Sequence, residues 1–399
     1  MKGKFIILTM IIFSMMIFAE TIGEFYASKF DVDKMINSEK VNIKIFGYIK
    51  KYFETGYSGY LRSANQLRVK YDNSLNIEEK KIFDIMSSLT PQTTIEPIKK
   101  LKEIEMKYPN SLIIKILLLE FNYKQWLITG DPKLAKEILN EFQYIEKIMG
   151  DTPLTVFYKA NFLYKSNLYG DKETSYKIIK DGVLKFPDNK KIVESFLTIS
   201  SQMEKDKEDE QIFDEISKSY VKNPEVKENI LLLISKHFFE INDKNFAKQI
   251  IIDKIMPNTR NSKILFLSYE LLGDYTDTNV QKMNYYKKAL NYNSENARVL
   301  SKWALAMLEV DREKYKSLAR IALNKAITIN PNMSEDAMKA LRDLRNEIKI
   351  EVLINYILPI TLFVGGSISI MVYYEKRKKK KEKYMLLDSN NDEDGEKDE

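Results

Sequence analysis

Few residues in this chain could carry chemistry. It has one histidine, His237, and no cysteine. That removes thiol nucleophiles, thiolate zinc sites, disulfide frameworks and most imidazole acid–base work. His237 lies in Leu231-Leu232-Leu233-Ile234-Ser235-Lys236-His237-Phe238-Phe239 without a metal-ligand partner at ligand spacing upstream, the setting of a packing or surface histidine. Asp31-Val32-Asp33 could touch a cation, but two carboxylates without the rest of a binding loop read as a helix start. No Gly-rich phosphate loop, nucleophile elbow or paired-histidine motif occurs, so neither a metal nor a cofactor is expected. Glycoside cleavage survives these counts because it needs only carboxylates.

The elements around these residues are helical. The chain has 399 residues, 44% of them hydrophobic and 12% aromatic, enough for a sizeable core. Only 13 Gly and 10 Pro argue against the turn density of a many-stranded sandwich or barrel. The formal charge of +6 rests almost wholly on lysine rather than arginine. Without clustered arginine forks and interleaved aromatics, that balance gives no nucleic-acid signature.

Lys2 and Lys4 precede an uncharged run from Phe5 to Ala19, which reads as a signal peptide or a retained signal anchor over residues 1–19. Val352 to Tyr374 forms a second uncharged run. At about 1.5 Å per residue it reaches across the roughly 30 Å core of a bilayer. The cationic cluster Lys376-Arg377-Lys378-Lys379-Lys380-Lys381 follows directly and belongs on the cytoplasmic side. Both apolar ends thus carry their positive flanks inside. The bulk of the chain is expected outside the cytoplasm of a bacterial cell, anchored in the inner membrane, with the C-terminus in the cytoplasm. The expected organisation is a signal at 1–19, a helical N-terminal cap at 20–94, a repeat domain with a capping helix at 95–350, a transmembrane helix at 351–374, and a basic then acidic tail at 375–399.

The middle of the chain punctuates itself. Pro109, Pro153, Pro187, Pro224, Pro257 and Pro331 each follow a helical run, with Ser294 where a further proline would fall. The intervals of 33 to 44 residues match the length of a helix–turn–helix unit. Gly130-Asp131, Gly170-Asp171, Asn242-Asp243 and Gly273-Asp274 supply the expected turn inside a unit, a helix stop followed by a helix cap.

In the unit ending at Pro187, Ser175, Ile179 and Gly182 take small-large-small positions in the second helix. In the unit ending at Pro331, Leu300, Trp303, Ala304 and Met307 are followed by Ala319, Leu323 and Ala326, with about three extra residues expected in the turn. These units resemble tetratricopeptide repeats. The resemblance covers about residues 95–332 and weakens in the units ending at Pro153, Pro224 and Pro257, which lack the small residues. It implies an all-α fold, a right-handed α-solenoid of about six repeats, with an N-terminal helical cap and a C-terminal transmembrane helix.

The resemblance also places a binding surface on the polar stripe of each first helix. In this register the stripe holds Asn161, Tyr164 and Asn167, then Glu194, Thr198 and Gln202, then Arg260 and Lys263, and finally Arg298 and Lys302. Such a surface suits a protein or an extended peptide, acidic or carboxylate-bearing. Glu194-Ser195-Phe196 also resembles the start of the catalytic-glutamate motif of lytic transglycosylases, but the Gly-rich substrate segment of that family does not follow. A non-catalytic, membrane-anchored scaffold is the expected function; the alternatives are a carboxylate-based cell-envelope glycan enzyme and a subunit of a secretion or signalling assembly.

Overall fold

Short polar side chains at the turns start the helices. Thr21, Asn76 and Thr152 each close a capping box. Asp131, Asp171, Asn189, Asp206, Asn296 and Asp311 each accept from a backbone N–H of the following first turn. A cap of this kind contributes about 1 kcal/mol. The computed structural model describes residues 20–166, 170–332 and 334–391, and among these it contains helices and turns but no strand. The chain divides into two compact units between His237 and Phe238.

The first unit begins with α1 (Ile22–Lys29), α2 (Val32–Ile36), α3 (Val41–Thr55), α4 (Ser58–Lys70) and α5 (Ile77–Ser87). α6 (Ile95–Glu105) follows and packs on α5 and on the first repeat helix. Three helix pairs come next: α7 (Leu112–Thr129) with α8 (Pro132–Met149), α9 (Pro153–Lys165) with α10 (Lys172–Lys185), and α11 (Lys190–Ser200) with α12 (Lys207–Lys222). Gly130 closes α7 in the left-handed conformation at φ 66°. Pro109 and Pro187 stand in the turns between pairs, whereas Pro153 is the first residue of α9, where its missing N–H has no helical partner to lose. Ser175, Ile179 and Gly182 are all buried, and a Cβ on Gly182 would stand 2.3 Å from Val156 Cγ1. Only glycine lets α10 approach α9 this closely.

α13 (Glu228–Glu240) crosses the unit boundary. In the second unit α14 (Lys244–Gln249) runs on as a π-helical turn over Ile250–Ile255. Two pairs follow, α15 (Ser262–Tyr275) with α16 (Asn279–Tyr292) and α17 (Ala297–Val310) with α18 (Arg312–Ile329). Asn242 takes the left-handed conformation at φ 67°, and Asp243 caps α14, as the turn signal predicts. Gly273-Asp274 is different. Both residues lie inside α15, which runs on to Tyr275, and a Cβ on Gly273 would meet the Tyr286 ring at 2.3 Å. That glycine makes room for a neighbouring helix and does not cap its own. The extra residues of the last unit are not in its turn either, because a single residue, Asp311, separates α17 from α18. The extra length is in α18, which has 18 residues against 14 in α17.

α19 (Glu335–Val352) buries Ala337, Leu341 and Leu344 against the cluster that contains Leu300, Leu323 and Ala326. It then continues through a π-helical turn at Leu353–Ile357 into α20 (Leu358–Asn391). The stretch Glu335–Lys383 forms one helix of 49 residues, long and apolar enough by length and composition to cross a membrane.

Ion pairs recur at the repeat period. In the first unit Lys102 pairs with Glu137 at 2.8 Å and Lys190 with Glu225 at 3.3 Å, each 35 residues apart in sequence. In the second, Lys244 meets Asp277 33 residues on, and Arg312 and Lys316 meet Glu347 and Glu351 35 residues on. Equivalent positions of adjacent units therefore face each other, as stacking in one dimension requires. Exposed pairs like these contribute little each, about 0.2–1 kcal/mol.

One charged site behaves otherwise. Glu141 of α8 is 9% exposed, and its carboxyl is pushed up to about 7, by burial first and then by Glu105 and Glu137. Lys115 opposes this from 3.7 Å, but its ammonium is bonded to Glu105. A carboxyl raised in the folded state favours folding most below its unfolded value, and that contribution is lost as pH rises from about 4.5 through about 7. Glu141→Gln should therefore match the parent near pH 4 and exceed it above pH 8, by up to about 3 kcal/mol on the linkage relation. Thermal unfolding followed across pH reads this directly; an unchanged difference between the two proteins at every pH would contradict it.

Candidate functional site

The first helices of the pairs carry the predicted surface. In the first unit these are α7, α9 and α11, and α1 lies across α7 and α9. Ile22, Tyr26 and Ala27 of α1 and Phe30 just after it are at most 3% exposed. The N-terminal segment is thus seated on the face of the repeats; it does not merely close their end. Tyr26 and Tyr158 both donate to Glu120 Oε1, at 2.6 and 3.2 Å, and Lys50 donates to Glu120 Oε2 at 2.6 Å. Burial, and after it the Glu120 charge, hold both phenols well above the usual range. Phe30 rests on Phe157 and Tyr158 with ring centroids 5.2 and 5.8 Å apart, and Asn189 Nδ2 donates to the Lys29 carbonyl at 2.8 Å.

Beside Phe30 a groove of about 330 Å³ remains open. Asn161, Glu194 and Thr198 line it, together with Lys191 and Lys227. Asn161 donates to Ser195 Oγ at 2.5 Å, a link of 34 residues between adjacent first helices. Glu194 is 7% exposed; its Oε1 accepts from Tyr220 at 3.0 Å and its Oε2 binds Lys227. Thr198 turns its hydroxyl to the Glu194 carbonyl at 2.7 Å. The remaining predicted residues of this unit stand apart. Tyr164 is half-buried under the Lys172 ammonium, 5.8 Å from its ring, and Gln202 is exposed just beyond the end of α11. Asn167 lies outside the described residues.

An adjoining groove of about 620 Å³ carries Asp33, Glu54, Glu194 and Glu225. Each of these carboxylates is bound to a lysine, respectively Lys51, Lys191, Lys227 and Lys190. Asp31 caps α2. The face is a mosaic of matched charges. His237 is likewise engaged, with Nε2 2.7 Å from Asp214 Oδ1 and its ring 4.4 Å from that of Phe213.

In the second unit the predicted basic stripe divides. Arg298 donates to Glu270 Oε2 at 2.7 Å. Lys302 donates to Glu270 Oε1 at 3.1 Å and to Asp274 at 2.8 Å. Glu270 is 3% exposed, so these two cations neutralise a buried acid of the preceding first helix. Arg260 is not on a helix; it stands in the turn before α15. Lys263 is in the first turn of α15. Both are exposed, and neither side chain has an ion pair among the described residues. The expected register puts all four cations on first helices; Arg260 lies before its helix, and the register takes no account of the acid at Glu270, which Arg298 and Lys302 bind. Lys191 and Lys227 carried the converse signal, since Lys227 follows Glu194 by 33 residues.

Stacked helix pairs, glycine-mediated close approach and ion pairs at one period make this a tetratricopeptide-like helical repeat fold. Two solved structures are similar to it at low scores. One, titled as a human IFIT1 dimer with PPP-AAAA, has 15% identity and a TM-score of 0.35, over 70% of this chain and 66% of that one. The other, a crystal structure of the P58(IPK) TPR domain, has 12% identity and a TM-score of 0.26, over 80% of this chain and 97% of that one. Neither a protein family nor a curated protein matches the sequence.

Proposed function

We propose that the chain is a non-catalytic, membrane-anchored scaffold that binds other proteins outside the bacterial cytoplasm. The groove beside Phe30 carries this reading. Its carboxylate, Glu194, is closed off by Tyr220 and Lys227 and has no role open to it as a free acid, while hydroxyl, carboxamide and ammonium groups line an accessible channel. Polar groups of this kind read an extended peptide by its backbone and its charges. In the second unit the free cations Arg260 and Lys263 suit an acidic partner.

Membrane anchoring is supported by the unbroken apolar helix and by the lysine-rich flank that follows it. The lysine flanks at both ends support the orientation, with residues 20–350 outside, a span at 351–374 and the tail at 375–399 in the cytoplasm. Protease added to spheroplasts should remove the 20–350 region and spare a tag at the C-terminus; protection of that region would defeat the export reading. Crosslinking in membranes followed by co-purification identifies the partner. Arg260→Glu with Lys263→Glu should reduce capture of that partner, increasingly so at low salt, because exposed charges are screened over about 8 Å at physiological ionic strength. Lys287→Glu with Lys288→Glu on α16 should leave capture unchanged. Equal effects of the two pairs would show that the cations are only a solvated face.

A further inference from the structure

A third cavity, of about 300 Å³, opens where α7 and α9 meet the N-terminal helices, and its chemistry differs from that of the grooves above. Its walls are apolar: Phe53, Phe121, Tyr123 and Phe157, with Met86 and Leu127. Leu127, 44% exposed near the C-terminal end of α7, stands at the mouth. Three lysines, Lys50, Lys124 and Lys191, face two carboxylates, Glu54 and Glu120.

The pairing leaves one cation over. Lys50 binds Glu120 at 2.6 Å and Lys191 binds Glu54 at 2.9 Å. Lys124 donates to the Pro91 carbonyl and has no carboxylate partner among the described residues. Burial, and after it the neighbouring Lys50 charge, hold its ammonium below the usual range. An apolar chamber with one unmatched cation at its wall is complementary to an apolar body that ends in a single negative charge.

We propose that this cavity binds a small organic anion, an aromatic or branched aliphatic body carrying one carboxylate, with Lys124 holding the carboxylate and the ring-lined wall enclosing the body. The cavity adjoins the partner-binding groove and shares Phe157, Tyr158 and Lys191 with it, but Lys124 and Leu127, on which the test acts, line the cavity and not the groove. A free acid and the last residue of a peptide present the same chemistry, and the test separates them.

Calorimetric titration of the full chain in lipid nanodiscs, against empty nanodiscs, uses 4-phenylbutyrate as probe and 4-phenylbutan-1-ol as its neutral counterpart. The acid should bind saturably and the alcohol about tenfold more weakly, as loss of one charge-assisted hydrogen bond implies. Lys124→Gln should erase the preference for the acid, Lys124→Arg should retain it, and Leu127→Trp, which fills the mouth, should abolish binding of both compounds. A Gly-Gly-Phe peptide with a free carboxylate, compared with its amide, distinguishes a peptide terminus from a free acid as the natural source. Thermal unfolding of each variant like that of the parent establishes that the loss is local. Absence of saturable binding by either acid, equal affinity for acid and alcohol, or an unchanged preference in Lys124→Gln overturns the proposal.

Discussion

Replacing Glu120 with alanine should detach the N-terminal segment from the repeats. The carboxylate accepts from two buried phenols, Tyr26 and Tyr158, and from Lys50, whose side chain is 12% exposed. Removing one partner of a buried pair leaves the other charge without compensation, at a cost of about 3–5 kcal/mol. Each orphaned hydroxyl adds to that, though within one network the losses do not sum. Glu120→Gln keeps an acceptor for the phenols and loses only the charge, so it should cost less. Limited proteolysis provides the local readout: cleavage within residues 20–40 should accelerate in Glu120→Ala before the repeats are cut. An unaltered cleavage rate in Glu120→Ala would mean that α1 is held by its apolar contacts alone.

The second large effect belongs to the other unit. Ala326 is fully buried in the cluster that joins Leu300, Met307, Leu323 and Leu341. A tryptophan there must displace α19 or α17, and overpacking of a close-packed core costs about 1–3 kcal/mol, occasionally more. Ala326→Trp should therefore melt the last pair well below the parent, as followed by circular dichroism. Lys325→Trp, on the exposed neighbouring position, should stay within about 0.5 kcal/mol. If the two substitutions proved equal, Ala326 would not be at an interface between helices.

The helix pairs are readable from sequence because their signals are local. The caps at Asp131 and Asp171 and the helix stop at Gly130 each act within a few residues of the feature they specify. Gly273 shows where local reading fails. A glycine followed by Asp satisfies the pattern of a turn, yet here the glycine is needed for the Tyr286 ring on the next helix and Asp274 accepts that ring's hydroxyl at 2.8 Å. The binding stripe fails for a related reason. Whether Arg298 and Lys302 are available depends on Glu270, which stands 28 and 32 residues away. The seating of α1 leaves no local trace, since its apolar residues read equally well as a cap at the end of the stack.

Two bonds fix the order in which this protein can be completed. Asn189 reaches the Lys29 carbonyl across 160 residues, and Lys191 reaches Glu54 across 137. Stacked repeats otherwise touch only their neighbours and can form as they are made, but contacts this distant delay folding because a long loop must close first. The segment Ile22–Phe30 is made before the repeats and waits with Tyr26, Ala27 and Phe30 uncovered until α7 and α9 have arrived, and the bonds from Asn189 and Lys191 close later still. During that interval it is an apolar helix in search of a surface, and a holding chaperone or rapid synthesis through residue 191 would protect it from aggregation. Slowing elongation between residues 40 and 190 should therefore lower the yield of folded protein more than the same delay placed after residue 240.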